Sequence, residues 1–236
     1  MICSSSLPDL YLVNLLKDDA KRFGCEVTIM GVDDDYATTL KDILGDAVMV
    51  SAQRNNCDYI YLRSDLQALH GKNLKAKRNH VNKFLSEYPN YIYKPLSPSL
   101  FNECLMLERK WRDSSEHENP AYADTVAAEQ QVMENVFNNW DHLDAQGGCI
   151  FVDDTMVAFS YGAPVSNDTF DVCVEKADRD VDGAFNIINQ QLVMHLPEQY
   201  VYINREEDMG LTGLRKAKLS YHPHLLLPYN IVSFPV

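Results

Sequence analysis

Apolar residues recur at helical spacing near the start of the chain, where Leu12, Leu15, Leu16 and Phe23 share one side of residues 10–23. Gly24 follows as a C-cap. Residues 26–32 (EVTIMGV) are β-rich and predict a strand. Asp33-Asp34-Asp35 opens a second helix over 36–44, because acids suit a helix N-terminus. Strands are predicted at 47–51 and 58–63. A helix over 76–87 carries Val81, Phe84, Leu85 and Tyr88 on its apolar side and ends at Pro89-Asn90.

A second succession starts at residue 91. It runs as a strand (91–96), a helix (99–113), a polar loop (114–124) and a longer helix (125–143) buried through Val126, Met133, Val136, Phe137 and Trp140. Gly147-Gly148 is predicted to break that helix. Strands at 149–152, 156–165 and 170–175 follow, joined by Asp153-Asp154 and Ser166-Asn167-Asp168, which supply hairpin chemistry. A helix (181–196), a strand (200–203), a helix (211–219) and a last strand or strand pair (225–234) broken by Pro228 complete the order. The pattern predicts an α/β protein with a mixed sheet: a hairpin meander, then a βαβ crossover. The α-β-α-β-β part before it has too few strands to close its own sheet. The expectation is two domains, 1–88 including a basic linker helix and 89–236, with the first one incomplete.

Composition narrows the function classes. The chain has 236 residues, 46% hydrophobic and 23% charged, with a net charge of -13. An acidic surface argues against general DNA or anionic-membrane binding. No apolar run approaches the ~18 residues that cross a bilayer, and the start lacks a basic signal-peptide region, so a cytoplasmic protein is expected. The cysteines are scattered and read as reduced thiols, with Cys149 and Cys173 as core packing within apolar strands. His222-Pro223-His224 has no third ligand in sequence reach, and no metal site is expected. No Gly-x-Ser-x-Gly elbow or Walker loop occurs.

Two stretches carry candidate chemistry. The alternating run Tyr200-Val201-Tyr202-Ile203 drops into Asn204-Arg205-Glu206-Glu207-Asp208, and Gly210 stands just behind. Five polar residues at the mouth of an apolar strand are either solvated or paired in a cleft. The second stretch runs from Arg63 to Lys83. It holds Arg63, Lys72, Lys75, Lys77, Arg78 and Lys83 against the single acid Asp65. Such local basicity in an acidic chain suits a phosphate or an RNA backbone, with Lys72, Lys75, Lys77 and Arg78 as binding residues.

Residues 59–84, 162–185 and 203–223 together resemble the bacterial family similar to the C-terminal domain of phosphatidylglycerol lysyltransferase. That resemblance implies a tandem GNAT-like acyl-CoA N-acyltransferase fold, similar to the Fem-type aminoacyl transferases, whose central strands splay apart around an acyl donor. It implies transfer of an acyl or aminoacyl group, from acyl-CoA or aminoacyl-tRNA, to an amine or hydroxyl, with no permanently bound cofactor. On that basis Glu175, Glu206 and Asp208 are candidate bases, Tyr161 a candidate acid and Lys218 a candidate oxyanion holder, with Asn204, Arg205 and Tyr221 binding substrate. A cleft bringing Glu175 together with Glu206–Asp208 would crowd carboxylates and raise one pKa. The GNAT pyrophosphate loop is approached only by Arg179–Ala184, where Asp178, Asp180 and Asp182 would repel a pyrophosphate. The alternative is a non-catalytic anion- or RNA-binding module on a degenerate GNAT-like sheet.

Overall fold

The computed structural model describes residues 7–115 and 123–236, and leaves out the side chains of residues 114, 115 and 123–127. Val126 and most of the predicted 114–124 loop therefore lie outside the described residues. The elements in chain order are α1 (Leu10–Phe23), β1 (Val27–Val32), α2 (Asp34–Leu44), β2 (Met49–Ala52), β3 (Asp58–Leu62), α3 (Arg63–Ala68), α4 (Lys75–Glu87), β4 (Ile92–Pro95) and α5 (Phe101–Ser115). They continue with α6 (Ala123–Asn138), β5 (Gln146–Val152), β6 (Thr155–Pro164), β7 (Thr169–Ala177), α7 (Ala184–His195), β8 (Tyr202–Asn204), α8 (Thr212–Leu219), β9 (Leu225–Leu227) and β10 (Asn230–Phe234).

The chain divides into two compact units. One comprises residues 1–59, 206–218 and 225–236, and the other residues 60–205 and 219–224. This division differs from the expected one into 1–88 and 89–236, which the helix end at Pro89-Asn90 suggests. The reason is topological: the C-terminal strand β10 lies between β1 and β2, antiparallel to both. No local sequence pattern announces a pairing of Val27 with Phe234.

In the first unit, aspartates cap the starts of α1 and α2. Asp9 accepts from the Leu12 N–H at 2.8 Å and Asp33 from the Tyr36 N–H at 2.7 Å. Gly24 closes α1 in the left-handed region, φ 67°. Val13, Leu40, Val232 and Phe234 are fully buried and form the centre of this unit's core.

In the second unit the strands follow the order β4-β5-β6-β7-β8-β3. All neighbours are antiparallel except β7 and β8, which are parallel. Helices α5 and α6 cover one face around Cys104, Met133, Cys149 and Phe159, while α7 packs on β5, β6 and β7. Gly147 and Gly148 lie inside β5 and do not break a helix. A Cβ on Gly148 would meet the Tyr93 hydroxyl at 2.1 Å, so this glycine lets the Tyr93 ring lie on the strand. Cys149 is buried as expected, whereas Cys173 is exposed. Its alternation partner on the core side is Val174.

The feature that positions the site is the short contact between β7 and β8. They pair only at Thr169 with Tyr202, Phe170 with Ile203 and Asp171 with Asn204. β7 continues to Ala177 without β8, and β8 ends at Asn204. Beyond Asp171 no β8 residue pairs with β7, and this opening in the ladder is occupied by side chains, with Glu175 and Arg205 13% and 12% exposed.

Candidate functional site

Alternation along β7 sorts its polar residues onto two faces. Lys176 turns towards α5 and α6, where its ammonium bonds Glu129 at 2.8 Å and lies 3.7 Å from the Trp111 ring centroid. Glu175 turns the other way, into the opening beyond Asp171. Its Oε1 accepts from Arg205 at 2.9 Å, and its Oε2 accepts from the Asn189 amide of α7 at 2.9 Å. Arg205 follows directly on β8, so its guanidinium bridges the two diverging strands.

Aromatic rings flank that guanidinium. Its Cζ lies 4.8 Å from the Tyr221 ring centroid and 5.6 Å from that of Tyr61. The two rings meet edge to face at 6.4 Å. The Tyr221 hydroxyl accepts from Asn186 of α7 at 2.6 Å. Burial pushes the Tyr221 phenol up to about 12, with Arg205 acting in the opposite direction. Tyr221 is therefore a neutral O–H donor at physiological pH.

Lys77 of α4 completes the group, its Nζ 4.3 Å from the Tyr221 ring centroid. Burial lowers its pKa below the ordinary lysine value, the Arg205 charge lowers it further, and Glu175 opposes both. Two cations thus face one carboxylate. The other basic residues of this stretch separate from Lys77. Arg78 donates to the Leu69 carbonyl at 2.5 Å, Arg63 to the Leu196 and Pro197 carbonyls, and Lys83 binds Asp182 at 2.6 Å. Lys72 and Lys75 are exposed. The basic stretch is thus not one uniform face.

The polar run after β8 is divided between the units after Arg205. Asn204, 8% exposed, ends β8 opposite Asp171 and Ile60. In the first unit, Asp208 is fully buried and saturated. Arg215 binds both its oxygens at 2.7 Å, and Tyr59 donates at 2.6 Å, Gly210 N–H at 2.9 Å and Arg54 at 3.2 Å. The Arg215 hydrogen bonds hold its carboxyl well below the usual aspartate range, assisted by Tyr59 and Gly210 against the effect of burial. Crowding was expected to raise a carboxylate pKa in this run, and the charge-assisted bonds reverse that direction for Asp208. Lys218, 8% exposed, donates to the Glu207 carbonyl and lies 5.8 Å from the Tyr59 ring centroid. Glu206 takes a positive φ of 55°, and its carbonyl accepts from the Tyr59 N–H.

Tyr161 stands apart from Glu175. It pairs with Val174 and packs among Phe137 and Trp140 in the core under α5 and α6, on the face away from Glu175. Its strand position decides this through alternation. Conversely, Asn186 and Asn189 enter the site without having been singled out from sequence. Their spacing of three residues, which puts both on one face of α7, is the signal that marks them.

The three acids of the pyrophosphate-like loop before α7 are only partly offset, by Lys83 and Lys110. Asp182 is bound by Lys83 and faces His80 at 3.5 Å, while Lys110 binds Asp178 at 2.6 Å and Asp180 at 3.3 Å. A Cβ on Gly183, φ 82°, would meet the His80 carbonyl at 2.7 Å, so α4 packs directly on the start of α7. Two cavities of the second unit, of about 340 and 290 Å³, lie elsewhere and are not lined by Glu175 or Arg205.

The strands from residue 60 on therefore form a mixed α/β sheet with one parallel pair, β7 and β8, and polar groups gather where that pairing stops. The chain belongs to the family described as phosphatidylglycerol lysyltransferase, C-terminal, which it matches over residues 10–231. It is similar to a conserved protein of unknown function from Bacteroides thetaiotaomicron, with 39% identity and a TM-score of 0.89 over 95% of this chain and 75% of that one. It shares its fold with L-PGS from Bacillus licheniformis, at 13% identity and a TM-score of 0.62, over 94% of this chain and 72% of that one. An uncharacterised protein of Mycoplasmoides gallisepticum is 21% identical over 181 residues, which are 76% of this chain and 56% of the relative. The chain thus spans about half the length of this curated relative. No helix among the described residues is long and apolar enough to cross a membrane.

Proposed function

We propose that the protein is an acyl- or aminoacyltransferase whose reaction takes place in the opening between β7 and β8. The observation that carries this reading is the convergence of Glu175, Arg205, Tyr221 and Lys77 on strands that have just separated. Glu175 takes the proton of the acceptor's amine or hydroxyl as that group attacks the donor carbonyl. Arg205 and Lys77 carry the negative charge that develops on the carbonyl oxygen or sits on a donor phosphate. Tyr221 gives its proton to the departing group, and Asn204 orients substrate at the end of β8.

A positioned base contributes about 10²–10⁴-fold and an oxyanion donor about 10²–10³-fold, the effects asked of Glu175 and of Arg205 with Lys77. Among donors, an aminoacyl-tRNA fits better than acyl-CoA. The loop that would meet a CoA pyrophosphate carries Asp178, Asp180 and Asp182, and α4 packs on it. The test is transfer of a labelled group from a panel of aminoacyl-tRNAs and acyl-CoAs to amine and hydroxyl acceptors. Glu175→Gln should reduce the rate at least about 100-fold. An unchanged rate removes Glu175 from the chemistry.

One observation favours the alternative, an anion- or RNA-binding module without turnover: the Arg205–Glu175 pair spans the opening. In that case RNA binds at Lys72, Lys75 and Lys77, affinity falls steeply with salt, and no donor is consumed.

A further inference from the structure

Asn189 is 1% exposed, and its amide is half satisfied. Its Nδ2 donates to Glu175 Oε2 at 2.9 Å, while its Oδ1 is buried without a hydrogen-bond donor. The carboxylate dictates this orientation. Turning the amide over would set Oδ1 against Oε2, two acceptors with no proton between them. The unsatisfied carbonyl is therefore a consequence of serving Glu175. Buried acceptors without donors are destabilising and uncommon in cores, and a leucine of similar shape would remove this one.

We propose that Asn189 is a positioning residue that destabilises the fold in order to hold Glu175. Its amide and the Arg205 guanidinium take one carboxylate oxygen each and stop the carboxylate turning in the opening. The inference rests on Glu175 being the base of the proposed transfer. Asn186 makes the matching arrangement one helical turn earlier. It donates to the Tyr221 oxygen, which leaves the phenol proton free to be given away. Helix α7 thus presents one amide that keeps an acceptor fixed and one that keeps a donor pointing outward.

The experiment is a thermal-unfolding cycle combined with transfer kinetics. Asn189→Leu is made in the wild type and in Glu175→Met/Arg205→Met, a background that removes both charges together so that neither stays buried alone. In the wild type the midpoint moves by less than about 3 °C, because the lost bond to Glu175 offsets the removal of the orphaned carbonyl. In the uncharged background the same change raises the midpoint by about 3–8 °C. A similar fall in both backgrounds would make Asn189 a structural residue indifferent to Glu175 and overturn the proposal. In transfer assays Asn189→Leu lowers kcat about 10–100-fold with KM within about twofold, the signature of lost orientation. A wild-type kcat overturns it as well. If the wild type itself transfers nothing, the proposed function fails, while the unfolding cycle still decides whether Asn189 answers to Glu175.

Discussion

Two acidic side chains, one in each unit, are bound by arginine and do different things. Asp208 is surrounded by five donors from Arg54, Tyr59, Gly210 and Arg215, and its pKa is driven down. Glu175 has two donors, Arg205 and Asn189. Beside it stand a half-buried ammonium, Lys77, and an amide carbonyl that finds no donor. A saturated carboxylate is a staple that loses its bonds if it takes a proton. An under-saturated one next to excess positive charge keeps lone pairs for a substrate. Both acids stand out in the sequence, but the number and type of their partners separates them.

The contrast predicts different transfer phenotypes. Glu175→Gln has the largest effect, a loss of transfer of about 10²–10⁴-fold per folded molecule, beside the stability lost by leaving the buried Arg205 without its carboxylate. Asp208→Asn leaves the chemistry alone. It weakens the bidentate Arg215 bond and lowers stability by about 2–3 kcal/mol, less than for a fully buried pair because both arginines are over a third exposed or close to it. Denaturant titration measures this, and per folded molecule the transfer rate should stay within about fivefold of wild type.

Lys77→Met comes next. It keeps the contact with the Tyr221 ring but removes one of two cations, and should weaken binding of an anionic donor by about 10-fold. The pH dependence has a definite sign. Lys77 has a depressed pKa, so anion affinity falls as pH rises through a value below the ordinary lysine range near 10.5. Lys77→Arg should move this fall to higher pH. The smallest effect is the acid response of the first unit. Asp208 is depressed in the folded state, so its stabilisation is fully present above pH ~3.8 and lost as pH falls through the folded value. Asp208→Asn should flatten that limb of the stability curve.

Much of the fold was legible because it is written in local chemistry. Gly24 ends α1 and the acids from Asp33 open α2 as the sequence indicates. Asp153-Asp154 turns β5 into β6, and the β-α-α-β-β-β-α-β order appears as read. The residues 200–208 were likewise visible as a strand ending in charge. What could not be read depends on contacts between distant positions. β10 inserts between β1 and β2, and α3 forms where a strand was expected to end. Tyr161 and Glu175 lie in adjacent strands yet face opposite sides of the sheet. Asn186 and Asn189 are two of four amides on α7, and only the structure shows these two reaching Tyr221 and Glu175.

The direct test is to compare single-turnover transfer by wild type, Glu175→Gln and Asp208→Asn at equal concentrations of folded protein. Transfer lost in Glu175→Gln and retained in Asp208→Asn is the predicted result. Equal rates in all three, or loss confined to Asp208→Asn, would place the chemistry outside the opening between β7 and β8.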